Sequence, residues 1–314
     1  MAKNQPTRSW KVIFAGSPAY AVPTLTALVG LPQVEVVGVL TQKPKPRGRG
    51  QKLQPSAVGA FAESKGLFVL TPASLKRPET QALVTALHAD AAVVVAYGKI
   101  IPASLLTALP HGWVNAHASL LPRWRGASPI QRALMAGDRE TGVTLMQLDA
   151  GMDTGPTFAS ERVKIAAVET SITLADTLAT VSAQLLVRNL LPYLEGKAPL
   201  SPQPNEGVTL APLLEKSDGV ASFHEPAETL ERKIRALQPW PGVNATVNGL
   251  TLKILQATVV PGTAASGAVV PNPLGFAIGT AKYLLVPTSV QLPGKKPMSA
   301  KAFSLGHPQL FRAR

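Results

Sequence analysis

The chain has 314 residues, 46% of them hydrophobic, and a formal net charge of +13; the length allows two domains and the apolar content at least one large core. The absence of cysteine excludes disulfides, thiolate zinc sites and a cysteine nucleophile, and it fits a reducing compartment. Five histidines without ligand spacing (His88, His111, His117, His224, His307) give no reason to expect a metal. The first ten residues lack the apolar core of a signal peptide. The longest uncharged run, 254–281, is interrupted by Pro261, Pro271 and Pro273 and is too broken to span a membrane, so a soluble intracellular protein is expected.

In chain order, residues 10–15, 34–41, 67–70 and 91–96 are short apolar runs with little alternation, as strands buried on both faces require. Helical patterns at 22–31 and 80–87 lie between them. This is the βαβ rhythm of an α/β, Rossmann-like doubly wound sheet. Between the second strand and the next helix, residues 42–52 carry five cations (Lys43, Lys45, Arg47, Arg49, Lys52) and no acid. Ser128 and Pro129 suit the N-cap and first position of a helix that Gly137 closes, with Ile130, Ala133 and Leu134 on its packed face. That helix directly follows a Leu-Leu-Pro loop and is expected to brace it. Thr173-Leu-Ala-Asp176 suits a capping box, and Leu174, Leu178, Val181 and Leu185 form a core stripe at helical spacing.

From residue 192 the texture changes. Pro192, Pro199, Pro202 and Pro204 with Gly196 and Gly207 mark a linker over 192–210. A helix is expected at 227–236, then short strands: 244–247 and 251–255 flank Asn248-Gly249, a strong hairpin signal. Further pieces at 267–270, 275–278 and 283–287 give a small all-β domain. Residues 232–314 hold ten Lys or Arg and no Asp or Glu, a field that attracts polyanions and gives salt-dependent binding.

The chemistry-bearing residues cluster in two segments, Asn115-Ala-His117-Ala-Ser119-Leu120-Leu121-Pro122 through Gly126, and Asp149-Ala-Gly-Met-Asp153-Thr-Gly155. Both read as strand ends and glycine-rich loops, where ligands bind in open parallel sheets. An amide, an imidazole and two carboxylates together supply an oxyanion donor, a proton carrier and an orienting acid. A nicotinamide cofactor is excluded. Ala15-Gly16-Ser17-Pro18 offers one glycine where the dinucleotide fingerprint needs three, and a proline where backbone donors should cradle a pyrophosphate.

The pattern Asn-x-His-x-Ser-Leu-Leu-Pro-x-x-x-Gly with the later Asp-Thr-Gly resembles the 10-formyltetrahydrofolate-dependent formyltransferases. The likeness runs from Val12 to about Ser299. Val12 to Pro18, Thr41-Gln42 to Leu53, Val93 to Gly98, Gln238-Pro-Trp240-Pro-Gly242 and Gly294 to Ser299 resemble the branch that acts on methionyl-tRNA. The catalytic motif alone indicates only the superfamily; the basic loop and the carboxyl-terminal half point to the tRNA branch.

The resemblance implies a formyltransferase domain over 1–191 and, after the linker, an OB-like β-barrel over 211–314 that binds tRNA. It implies 10-formyltetrahydrofolate as formyl donor, initiator methionyl-tRNA as acceptor, no metal, no membrane, and a bacterial-type cytoplasmic monomer. Asn115, His117 and Asp153 match the catalytic trio. Ser119, Leu120, Leu121 and Pro122 match the folate-contacting segment, and Tyr97 and Gly98 are expected beside it. Asp149 competes for the acid role but is assigned to holding its loop or lining the pterin pocket. For tRNA the expected contacts are Lys43, Lys45, Arg47, Arg49 and Lys52, with Lys295 and Lys296 in the carboxyl-terminal half. Two other readings are open: a formyltransferase acting on a small amine, such as a sugar nucleotide or purine precursor, and a non-catalytic RNA-binding protein.

Overall fold

The computed structural model describes residues 9–48 and 50–308, which fall into two compact units. One draws on the chain up to residue 127, on 141–164 and on 175–210; the other on 128–140, 165–174 and 211 onward.

The elements up to the first unit's last strand are β1 (Trp10–Gly16), α1 (Val22–Val29), β2 (Val34–Leu40), β3 (Lys45–Arg47), β4 (Lys52–Gln54), α2 (Ala57–Ser64), β5 (Val69–Leu70), α3 (Pro78–Thr85), β6 (Ala91–Val95), α4 (Ala103–Leu106), β7 (Trp113–His117), β8 (Arg125–Gly126), α5 (Pro129–Ala136), β9 (Glu140–Gln147) and β10 (Thr157–Lys164). Seven strands form one sheet in the order β10-β9-β7-β6-β1-β2-β5. The pairs among β1, β2, β5, β6 and β7 are parallel, and β9 runs antiparallel to β7. Val12 to Ala15 and the whole of β6 are buried, which explains why these runs show no alternation: helices cover both faces. From β1 the chain builds outward through β2 and β5, then returns to lay β6 on the other side. Such a reversal opens a crevice at the strands' carboxyl ends.

Helix α6 (Ser171–Leu194) differs from expectation at both ends. Its reciprocal cap forms three residues before the expected box. The Thr170 N–H donates to Thr173 Oγ1 at 3.1 Å, and the Thr173 N–H donates to Thr170 Oγ1 at 3.2 Å. At the far end the helix runs through Pro192, whose carbonyl still accepts the Lys197 N–H at 2.8 Å, so the irregular segment begins after Leu194 rather than at 192. A proline in the last turn removes one N–H without breaking the turns before it. Among the described residues no helix is long and apolar enough to cross a membrane.

The second unit contains β11's neighbourhood from residue 211 (β11 being Leu210–Ala211), α7 (Ala227–Ala236), β12 (Val243–Val247), β13 (Leu250–Val260), β14 (Val269–Asn272), β15 (Gly275–Gly279), β16 (Leu284–Gln291), β17 (Met298–Ser299) and α8 (Ala300–Gly306). Its antiparallel sheet is ordered β12-β13-β16-β15-β14, with β17 on β16. Asn248 (φ 46°) and Gly249 (φ 84°) both take positive φ, as a two-residue hairpin turn that matches strand twist demands. Leu230, Ile234, Leu252, Ile254, Phe276, Leu285 and Phe303 form its core. Helix α5 ends as expected at Gly137, whose φ is 78°. It groups with the second unit, where Met135 packs on that core and the Met135 carbonyl accepts from Arg232 Nε at 3.2 Å.

Candidate active site

Strand β7 carries Asn115 and His117 on one face, because residues two apart on a strand point the same way. Asp153 reaches them from the loop between β9 and β10. Its Oδ2 accepts the Gly126 N–H at 2.8 Å and lies 3.6 Å from His117 Nδ1, and its Oδ1 accepts from Asn115 Nδ2 at 3.3 Å. His117 is 6% exposed and the Asp153 side chain 15%, so the pair interacts in a partly desolvated setting where charge counts for more than in water. On its other side, His117 Nε2 lies 2.9 Å from the Trp124 carbonyl. A carbonyl only accepts, so Nε2 holds a proton, and Nδ1 is the ring nitrogen that faces Asp153. Asn115 uses one amide hydrogen on Asp153; the amide carries a second.

The loop around the trio is set by close backbone approach. A Cβ on Gly155 would stand 1.9 Å from the Gln147 carbonyl oxygen, so only glycine lets the Asp-Thr-Gly turn lie against β9. Asp153 itself has φ 53°, a conformation that aspartate tolerates better than most residues. Asp149 is exposed, and its Oδ1 accepts from Thr154 Oγ1 at 2.7 Å and from the Gly151 N–H at 3.0 Å. Of its two expected roles, holding the loop is the one its bonds display.

Ser119 is fully buried and its hydroxyl donates to the Arg123 carbonyl at 2.6 Å. The Leu121 N–H donates to Thr144 Oγ1 at 3.1 Å, and the Leu121–Pro122 bond is cis. Ser119 thus shapes the loop from inside, while Leu120, Leu121 and Pro122 stay half-buried beside the trio. The Tyr97 side chain is enclosed in the core rather than open to solvent. It is 1% exposed in the core around Trp113 and Leu105, where burial pushes its phenol up to about 12. Only its carbonyl serves this region, accepting from Ser17 Oγ at 3.3 Å and Gln42 Nε2 at 3.4 Å. Gly98, exposed with φ 72°, follows it past Gln42.

A cavity of about 310 Å³ lies at the carboxyl ends of β1, β2 and β6, lined by Ser17, Pro18, Gln42, Lys43, Lys45, Gln54, Ser56 and Ala96. The basic segment beside it is an antiparallel hairpin, with Lys45 opposite Gln54 and Arg47 opposite Lys52. Lys43, Lys45 and Lys52 are exposed. Arg49 lies outside the described residues, and so does the Arg47 side chain. Lys99, which the sequence reading passed over, belongs to the same field: burial lowers its ammonium, and Lys43 and Lys45 lower it further.

The acid-free stretch from 232 is less uniformly positive than its composition implied. Lys233 pairs with Glu225 at 2.7 Å, Arg235 with Glu231 at 2.5 Å and Lys282 with Glu228 at 3.7 Å. The acids come from just before the stretch, on or beside α7. Lys295, Lys296 and Lys301 are exposed, and Arg312 and Arg314 lie outside the described residues.

Sequence reasoning also missed Gln203. Its Nε2 donates to the carbonyls of Asp153 (2.9 Å) and Gly155 (2.8 Å), and its Oε1 accepts from Arg125 Nε (3.0 Å) and Nη2 (2.7 Å). Nothing in a proline-rich stretch signalled it.

Comparison with known proteins matches residues 11–190 to the formyl transferase family and 213–308 to the formyl transferase C-terminal domain. A methionyl-tRNA formyltransferase of Paramagnetospirillum magneticum is 46% identical over 95% of this chain and 97% of its own length, and one of Acidiphilium cryptum is 44% identical over 97% and 99%. The solved N-formyltransferase of Helicobacter canadensis, in complex with folinic acid and dTDP-3-aminofucose, superposes with a TM-score of 0.66 at 17% identity, covering 88% of this chain and 98% of that one. HypX of Aquifex aeolicus in complex with tetrahydrofolic acid gives 0.62 at 15% identity, covering 94% and 46%. These two likenesses are of fold.

Proposed function

The chain belongs to the formyl transferase family, and from that premise we propose that it transfers a formyl group from 10-formyltetrahydrofolate to the α-amino group of methionyl initiator tRNA. Relatives that share 44–46% of their residues over nearly the whole chain carry that activity in their names. The observation that supports the chemistry is the single Asp153 carboxylate gathering Asn115, His117 and the Gly126 N–H.

As the α-amine attacks the formyl carbon, negative charge grows on the formyl oxygen, and the free Asn115 N–H stabilises it. One preorganised donor of this kind supplies roughly 3 to 4 kcal/mol. The amine loses a proton as the new C–N bond forms; His117 Nδ1 takes it, facing the Asp153 carboxylate 3.6 Å away. On collapse the bond from carbon to the folate nitrogen breaks, and His117 returns the proton to that nitrogen. Charge and protons balance, with no metal in any step. Leu120, Leu121 and Pro122 supply an apolar side for the folate ring, with Gly98 at the neighbouring loop.

Lys43, Lys45 and Lys52, with Arg47 and Arg49 of the same basic sequence segment, would meet the acceptor end of the tRNA beside the cavity at Ser17 and Ala96. The carboxyl-terminal unit, with Lys295 and Lys296 exposed, would hold more of the phosphate backbone. The test is labelled formyl transfer to charged methionyl initiator tRNA, run beside free methionine and the His117→Ala protein. Labelling of the tRNA alone, lost in the variant, is expected. Labelling of a small amine in preference to the tRNA would reject the tRNA acceptor, and undiminished transfer by His117→Ala would reject the site.

A further inference from the structure

The segment after α6, up to Leu210, belongs to the first unit and is built into the candidate active site. Its Ser201 exchanges backbone hydrogen bonds with Thr157 on β10, both at 2.8 Å. Further on, Thr209 Oγ1 accepts the Trp124 N–H at 2.8 Å and the Thr209 carbonyl accepts the Arg125 N–H at 2.9 Å. Trp124 is the residue whose carbonyl fixes His117 Nε2. Gln203 lies between these two anchors with all four of its bonds already described.

The orientation of that amide is unambiguous. Both partners of its nitrogen are carbonyls, which only accept, and both partners of its oxygen are guanidinium nitrogens, which only donate. The bonds close a ring: Asp153 Oδ2 to the Gly126 N–H, along the chain to Arg125, across its guanidinium to Gln203, and back to the Asp153 carbonyl. Asp153 thus has its side chain and its backbone held from the same two-residue strand β8. It needs such fixing, because a residue at φ 53° stays in that sparsely populated region only when its surroundings over-determine it. A carboxylate that slips by an ångström leaves both Asn115 and His117 without their common partner.

Resting on the formyl-transfer reading above, we propose that Gln203 is a positioning residue of this enzyme: it clamps the left-handed Asp153 turn so that one carboxylate serves Asn115 and His117 together. It touches no reacting atom, and its effect is expected in turnover rather than in substrate capture.

The test compares Gln203→Met, similar in length and unable to make the four bonds, with the unaltered protein, and then places Gln203→Met on an Asp153→Asn background. Expected is a loss of about ten- to a hundredfold in kcat, up to the scale of a catalytic group misplaced by about 1 Å, with KM for both substrates within about twofold and the unfolding midpoint held. On the Asp153→Asn background the same change costs nothing further, because residues that act as a unit are non-additive. Undiminished kcat in Gln203→Met, or losses that multiply in the double variant, would overturn the proposal. Should Gln203→Met fold poorly, Gln203→Glu keeps the acceptors for Arg125 and lacks the two donors, and the same fall in kcat is expected of it. Absence of tRNA formylation by the unaltered protein, or full activity of Asp153→Asn, would instead count against the underlying function.

Discussion

Replacing Asp153 by Asn changes one oxygen for an NH₂ and tests the shared-carboxylate arrangement directly. The backbone tolerates it, since asparagine accepts φ near 53° as readily as aspartate. The side chain does not. If the amide oxygen keeps the Gly126 N–H (2.8 Å), its NH₂ faces the Asn115 NH₂, donor against donor across 3.3 Å. Flipping the amide moves the conflict to Gly126. One buried donor left unpaired costs about 1 to 3 kcal/mol. The attraction between the carboxylate and a His117, 3.6 Å away, that takes up a proton disappears as well. Only the part that grows as His117 gains its proton appears in kcat. The expected loss is roughly a hundred- to a thousandfold, or about 3 to 4 kcal/mol of barrier. Single-turnover formyl transfer with saturating donor and tRNA reads it without product release. A variant that retains a third or more of the single-turnover rate would refute the reasoning, since neither the donor conflict nor the lost charge would then bear on the transition state.

Asn115→Ala removes the proposed oxyanion donor, and a fall in kcat of about 10² to 10³ with KM nearly constant is expected; a change confined to KM would reassign Asn115 to substrate binding. Gly155→Ala drives a methyl carbon to 1.9 Å from the Gln147 carbonyl, so a loss of roughly 2 to 4 kcal/mol in urea unfolding is expected, and an unchanged midpoint would show that the turn relaxes freely. Lys43→Ala and Lys45→Ala are each expected to raise KM for tRNA and to flatten the slope of log affinity against log salt by about one unit; if neither moves the slope, the hairpin does not contact phosphate. Burial raises the Asp218 carboxyl, but the Glu215 N–H and the Arg132 guanidinium outweigh it and hold it below the usual carboxylate range. The stability from this group is therefore present above the unfolded value near ~3.9 and lost as pH falls through the lower folded one; Arg132→Met should shrink that acid-side loss, measured by urea unfolding at successive pH values, and an identical pH profile would remove Arg132 from the account.

The sequence by itself determined the parallel sheet, because runs such as 91–95 bury every residue and need no partner information to be read as strands. It determined the Asn248-Gly249 hairpin, since two positive φ angles in succession leave few residue choices. It brought Asn115 and His117 to one strand face through their spacing of two. What it left undecided depended on contacts across long stretches of chain. Tyr97 stood beside a glycine in a segment expected to line the site, and its burial with Trp113 and Leu105 depends on residues distant in sequence that composition does not reveal. The positive carboxyl-terminal stretch counted no acids; Glu231 and Glu225 reach it from the same helix and the residues just before it, and only Lys282 finds its partner, Glu228, through the fold. Gln203 carried no local signal at all: an amide becomes a clamp only when two carbonyls and one guanidinium converge on it from segments 48 to 78 residues away in sequence. Local propensity sets which elements form, whereas the placement of hydrogen-bonding groups around Asp153 is a property of the packed chain.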